Sequence, residues 1–287
     1  MRVGVVFPQT ELGGDPGALR AYGRQVEELG FTHILAYDHV VGADPAVHRG
    51  WDGPYDVHTT FHEPFVMFGY LAAVTSNVEL VTGVIILPQR QTVLVAKQAA
   101  EVDLLSDGRL RMGVGLGWNT VEYEALGEDF TNRGRRSEEQ IELLRRLWTE
   151  QTVTFDGRYH RVTGAGLAPL PVQRPIPVWV GARSTRALER AGRLADGWFP
   201  MMPPGPKLDH ARDIVGRAAL AAGRDPAVLG MEGRTNWTGN PDDVVEELSA
   251  WEAAGATHAG VNTMGAGLDG VDEHLAALER VAAALGW

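Results

Sequence analysis

Short aliphatic runs alternate with longer stretches of helical periodicity from one end of the chain to the other. Residues 3–7 form the first run, closed by Pro8. Residues 16–29 then repeat apolar positions at three- and four-residue spacing, with Asp15 as N-cap and Gly30 as stop. Further strands are predicted at 33–37, 79–87, 110–114, 177–180, 196–199, 229–234 and 258–261. Helices are predicted at 63–75, 92–105, 134–149, 184–194, 208–222, 241–254 and 271–285. The run 79–87 is almost wholly aliphatic and reads as one strand covered on both faces. The rhythm breaks once, at 153–162, where alternation around Asp156-Gly157 predicts a hairpin.

Eight strands and eight helices in strict succession predict a (β/α)8 TIM barrel, a single domain over residues 1–287. The hairpin is then a short insertion between helix 4 and strand 5. An open doubly wound sheet has the same local periodicity and is the competing architecture. Composition is ordinary for a globular chain, 44% hydrophobic and 22% charged, and no apolar run has the length of a membrane span. Absence of cysteine excludes disulfides, thiolate metal sites and Cys nucleophiles. A formal charge of −11 argues against nucleic-acid binding, though a local Arg or helix N-terminus can still hold an anionic cofactor. A cytoplasmic location is expected, with no membrane contact.

In a barrel of this kind, polar residues at strand ends converge on one face. Asp38-His39 directly follows the second strand. Histidine is the residue type suited to giving or taking a proton near neutral pH, and it is equally a common hydrogen-bonded loop residue. His48, His58 and His62 share the same long loop, and no histidine pair has metal-ligand spacing. Gly113, Gly115 and Gly117 follow the fourth strand, then Trp118, Asn119, Glu122 and Glu124. Such glycines let a flat ring or a phosphate approach the backbone, or relieve crowding at the barrel rim. The GxGxG spacing is a weak dinucleotide signal. Gly181, Ala182, Arg183 and Ser184 precede the fifth helix. They offer free amides and a guanidinium to an anion, or an ordinary N-cap. No nucleophile elbow, phosphate loop or paired-carboxylate motif is present.

Specific motifs go further. The stretches TGVIILPQRQTVLVAKQAAEVDLLSDGRLRMGVGLGW (82–118), RRSEEQIELLRRLW (135–148), FDGRYHRV (155–162) and PIPVWVGARSTRALERAGRLADGWFP (175–200) resemble the bacterial luciferase-like monooxygenase superfamily, especially its coenzyme F420-dependent branch. Weaker likeness extends to YDHVVG (37–42) and the C-terminal helices. The resemblance implies a homodimeric barrel that binds a deazaflavin or flavin at the strand C-termini and acts on a small-molecule substrate. It implies a catalytic role for His39, oriented by Asp38. Gly83 and Val84 would back the ring at a bulge with a non-proline cis peptide, beside Gly115, Gly117 and Trp118. Gly181, Ala182, Arg183 and Ser184 would hold the cofactor phosphate, and Arg133, Arg135 and Arg136 would suit an anionic tail or simply begin a solvated helix.

One position departs from the branch. Sugar-phosphate dehydrogenases of this type have a glutamate just after the glycine-rich strand, where this chain has Trp118, which argues against glucose-6-phosphate as substrate. F420-dependent hydride transfer is the leading expectation. A reduced-FMN monooxygenase served by a separate reductase is the alternative, and a non-catalytic ligand-binding barrel the third.

Overall fold

The computed structural model of the chain describes residues 1–287. Strand β1 (Arg2–Val6) leads through a short helix α1 (Gln9–Leu12) into α2 (Pro16–Glu28), whose N-cap Asp15 accepts from the Gly17 amide. Its inward face is Ala18, Leu19, Tyr22 and Val26, the i, i+3, i+4 stripe that burial requires. After β2 (His33–Ala36) a long loop reaches α3 (Pro64–Ala72). The next aliphatic run is not one strand. It divides into β3 (Glu79–Thr82), β4 (Ile85–Ile86) and a 3-10 turn (Leu87–Gln89), with a cis peptide between Gly83 and Val84. Helix α4 (Thr92–Leu105), β5 (Leu110–Gly115), the short α5 (Thr120–Ala125) and α6 (Arg133–Thr149) follow.

The insertion is an antiparallel hairpin, β6 (Val153–Asp156) with β7 (Arg161–Ala165). It turns over four residues, 157–160, rather than at a two-residue Asp-Gly corner. The Glu139 carboxylate of α6 explains the wider turn, accepting the amides of Arg158 and Tyr159 and facing His160 Nδ1 at 2.7 Å. The chain finishes with β8 (Val178–Ala182), α7 (Thr185–Leu194), β9 (Gly197–Pro200), α8 (Pro206–Ala221), β10 (Gly230–Asn236), α9 (Pro241–Ala253), β11 (His258–Asn262) and α10 (Gly270–Leu285).

All ladder pairs among β1, β2, β3, β5, β8, β9, β10 and β11 are parallel, and β3 pairs with β5 to close the ring. The sheet is therefore a barrel of eight strands, and the open doubly wound sheet is excluded. Its interior is not filled by aliphatic side chains alone. Trp179 of β8 spreads across Gly197 and Gly230, where a Cβ would lie 2.3 and 2.2 Å from the indole. Arg111 stacks on that indole at 4.3 Å, and its Nη1 meets Glu232 Oε2 at 2.5 Å. The other Glu232 oxygen faces His33 Nε2 at 3.0 Å, while Arg111 Nε reaches Glu79 at 3.2 Å. This network forms the floor of the barrel.

Burial opposes the Glu232 charge, yet Arg111 and His33 outweigh it and bring the carboxyl down to about 2. His258, beside His33 and Trp179, is brought down from 6.5 to about 3 by burial first and by Arg111 second. Both folded pKa values lie below the unfolded ones. The unfolded chain therefore binds more protons on acidification, and stability present at neutral pH is lost as pH falls. The loss begins with His258 below about 6.5 and continues with Glu232 below about 4.5. Thermal melts across this range should show that decline, and His258→Asn should remove its upper part. Glu232→Gln leaves Arg111 short of a buried partner and should cost about 3 kcal/mol in urea unfolding at pH 7. Arg111→Met combined with Glu232→Leu should recover much of that loss, since a dry apolar pair carries no desolvation penalty.

Candidate functional site

Above the charged floor, the C-terminal ends of the strands enclose a cavity of about 360 Å³. Val6, Leu35, Val84 and Phe199 give it an apolar wall, and Met201, Met202 and Pro203 continue that wall towards solvent. Its polar groups are Tyr37 and three residues of β10, Glu232, Arg234 and Asn236. These three alternate along the strand, so all point inward, from the buried floor to the exposed mouth. A second cavity of about 180 Å³ is lined by His39, Tyr55, Phe61 and Asn119.

Sequence order alone does not explain why the third strand breaks. Thr82 still belongs to the ladder, its hydroxyl donating to Gly113 O at 2.7 Å. Beyond Gly83 the Ile86 amide donates instead to Asp38 Oδ2 at 3.0 Å. Asp38 Oδ1 binds Arg90 Nη2 at 2.7 Å, and Arg90 Nη1 also holds Glu63. Burial raises the Asp38 pKa, and Arg90 and the Ile86 amide only partly offset it. Asp38 therefore fixes the backbone that follows the bulge and makes no hydrogen bond to His39. The expectation that it orients His39 is corrected: the Asp38 carboxylate is directed to Arg90 and the Ile86 amide, and the His39 ring faces another carboxylate.

Glu122 takes that place. Asn119 caps α5, accepting the amides of Val121 and Glu122, and this aims the Glu122 carboxylate back under the loop after β2. Its Oε1 accepts from the amides of Val40 and Val41, and Oε2 accepts from Gln89 Nε2 at 3.1 Å. Oε2 also faces His39 Nδ1 at 3.5 Å. Burial alone would raise the Glu122 pKa, but these hydrogen bonds outweigh it and keep the carboxyl below its usual range. An ionised carboxylate can only accept, so Nδ1 is the nitrogen that presents a proton to it, and Nε2 has no protein partner. The imidazole is 13% exposed and packs against Phe61 at 4.8 Å, Tyr55 at 5.1 Å and Trp118 at 5.7 Å between ring centroids.

Other expected residues fall in separate places. Gly83, Val84 and Gly181 line the central cavity. Gly115 at the end of β5 and Gly117 beyond it do not. A Cβ on Gly115 would lie 2.4 Å from Val84 Cγ2, and one on Gly117 2.7 Å from Ile86 Cγ2. They make room for the bulge segment itself, which is the crowding alternative rather than open access for a ring. Trp118, 41% exposed, stacks on Trp51 at 5.6 Å as well as on His39. Ser184 caps α7 through its hydroxyl, accepting the Ala187 amide at 3.4 Å, and Ala182 is buried while Arg183 is exposed. Arg136 pairs with Glu128 and Arg133 stacks on Phe130 at 3.6 Å, so both secure the start of α6. His62 meets Gly13 O, His48 is half-buried beside Trp51, and His58 is exposed. Sequence reading gave no role to Glu122, Arg90 or Arg234. The polar alternation at 232, 234 and 236, inside an otherwise apolar barrel, was the available signal for the last.

Comparison with known proteins agrees with this geometry. The family model described as luciferase-like monooxygenase matches residues 1–231. An uncharacterized protein of Mycobacterium tuberculosis is 30% identical over 293 residues, covering 99% of each chain. An F420-dependent glucose-6-phosphate dehydrogenase of Intrasporangium calvum is 35% identical over 193 residues, covering 64% of this chain and 53% of the dehydrogenase. An FMNH(2)-dependent dimethylsulfone monooxygenase of Pseudomonas fluorescens is also 35% identical, over 141 residues, covering 48% of this chain and 38% of that protein. Among solved structures, monooxygenase RslO1 from Streptomyces bottropensis superposes with a TM-score of 0.80 at 20% identity, covering 99% of this chain and 98% of the other. The coenzyme F420 dependent tetrahydromethanopterin reductase from Methanopyrus kandleri gives 0.77 at 16% identity, with 98% and 97% covered. Barrel, bulge and matched sequence lead to one assignment: the chain belongs to the luciferase-like monooxygenase family of oxidoreductases.

Proposed function

We propose that the protein is a coenzyme F420-dependent oxidoreductase that exchanges a hydride with a small organic substrate. The central cavity fits a flat conjugated ring: its volume lies in the usual range for ligand pockets, about 300–1,000 Å³, and one wall is apolar. Val84 and the Gly83 backbone would support that ring. Gly181, Ala182, Arg183 and Ser184 would hold its phosphate at the start of α7. When bound, a deazaflavin supplies a two-electron hydride donor or acceptor and leaves proton handling to the protein.

The observation that carries the reading is His39 held by Glu122. Removing a hydride from an alcohol carbon must be matched by loss of the hydroxyl proton, and the reverse reaction must return one to the carbonyl oxygen. His39 Nε2, free because Glu122 faces Nδ1, is the group for that transfer. Tyr55, Phe61 and Trp118 surround the imidazole and keep bulk water from competing with it. The F420-dependent relative, matched over more of this chain than the FMNH(2)-dependent one, supports deazaflavin over flavin.

Titrating the protein with oxidised and reduced F420 and FMN, followed by fluorescence and absorbance, should give deazaflavin binding at least about tenfold tighter. Tighter binding of reduced FMN would replace this reading with a two-component monooxygenase. With any alcohol or ketone that is turned over, His39→Ala should lower kcat about 10²–10⁴-fold while cofactor affinity stays unchanged. Glu122→Gln, which keeps an acceptor for the Val40 amide but removes the charge, should lower kcat by a smaller factor. Unaltered turnover in His39→Ala would remove the histidine from the chemistry.

A further inference from the structure

Arginines over the barrel interior are paired, with one exception. Arg111 binds Glu79 and Glu232, and Arg90 binds Asp38 and Glu63. Arg234 has no carboxylate within salt-bridge distance, and its one hydrogen bond is from Nη1 to the Tyr37 hydroxyl at 2.6 Å. A guanidinium carries five N–H donors in a planar fork, so four are left without a protein acceptor. Glu232, two residues earlier on the same face, does not neutralise it. Both Glu232 oxygens are already taken, by His33 and by Arg111.

The neighbouring position on the strand repeats the pattern. Asn236 Oδ1 accepts from Asn262 Nδ2 at 2.9 Å, which fixes the amide with its own Nδ2 unengaged. Arg234 and Asn236 therefore present donors without a protein partner to a cavity whose apolar lining includes Phe199, Met201 and Met202. In a chain of net charge −11, an unpaired cation facing an apolar pocket is a local reversal of the overall field.

We propose that Arg234, assisted by Asn236, is a substrate-recognition site for a carboxylate, and that the substrate is an organic acid with an apolar body. This deepens the redox reading and rests on it for the word substrate. The fork and the two carboxylate oxygens match as a bidentate pair, and Tyr37 holds the guanidinium by one edge so that the other edge faces the ligand. The Met and Phe surfaces receive the apolar part. A cofactor phosphate at the end of β8 is a separate position, since β9 lies between β8 and β10 and two strand spacings amount to about 10 Å.

A matched series of aryl and alkyl carboxylic acids and their primary amides, for example 4-phenylbutanoate with 4-phenylbutanamide, tests this by calorimetric titration. It is run on cofactor-loaded and on cofactor-free protein. The expected result is at least one acid binding about tenfold more tightly than its amide. That preference should shrink with added salt, disappear in Arg234→Gln and survive in part in Arg234→Lys. F420 and its riboflavin-like core lacking phosphate and tail are titrated alongside, and both should bind Arg234→Gln as they bind the wild type. If no acid exceeds its amide, or if the preference survives Arg234→Gln, carboxylate recognition here is wrong. Weaker binding of F420 but not of the bare core by Arg234→Gln would make Arg234 a cofactor-tail contact and overturn the proposal equally. The two readings fail separately. A protein that binds no deazaflavin yet keeps its acid preference loses the redox function and retains the anion site, whereas deazaflavin binding without acid preference does the reverse.

Discussion

A single buried carboxylate organises the mouth of this barrel. Glu122 has no arginine or lysine partner; the Val40 and Val41 amides, the Gln89 side chain and His39 share its two oxygens. Those donors belong to two separate segments, the loop after β2 and the turn after β4, and the carboxylate itself comes from α5. An acceptor 1% exposed must have its lone pairs satisfied or give up its charge. The three segments are thus tied to one point, and the imidazole is tied with them. The same logic holds one layer away, where Asp38 joins Arg90 to the Ile86 amide and fixes the path of the chain after Gly83.

Barrel interiors of this architecture are usually filled by branched aliphatic residues. Here the floor is Arg111, Glu232, His33 and His258 around Trp179, and the apolar residues Val6, Leu35, Val81 and Phe199 lie in a smaller cluster with it. Such a floor gains little net stability over an apolar one, because desolvation offsets most of the Coulomb attraction. What it provides is a fixed set of charges beneath the cavity, with Glu232 held from below by Arg111 and His33.

Much of this architecture was legible along the chain. Helices such as α2 and α6 announce themselves through stripes that bury Leu19, Tyr22 and Val26, or Ile141, Leu144 and Trp148. The hairpin shows the period of two, Val153 and Phe155 buried with Thr154 and Asp156 exposed. The break after Thr82 was invisible to periodicity, because Val84, Ile85 and Ile86 are as aliphatic as an unbroken strand would be; only family likeness pointed to it. His39 could be singled out by its place after a strand. Its partner could not, since Glu122 lies 83 residues later on a helix too short to have a periodic signature. Asp38 was misread for the complementary reason: family likeness placed it beside the histidine in sequence, while in the fold its carboxylate is drawn to Arg90 and the Ile86 amide.

The cavity walls are unequal in kind. Strands β1, β2 and β9 contribute Val6, Leu35 and Phe199, whereas β10 contributes Arg234 and Asn236. A trigonal carbon in such a space has its two enantiotopic faces in different surroundings, one towards hydrocarbon and one towards donors. A molecule anchored at the polar wall cannot turn over without stripping those donors of their partner. The polarity of the cavity is accordingly carried by a single strand, and the residues at 234 and 236 decide which way round an asymmetric occupant lies.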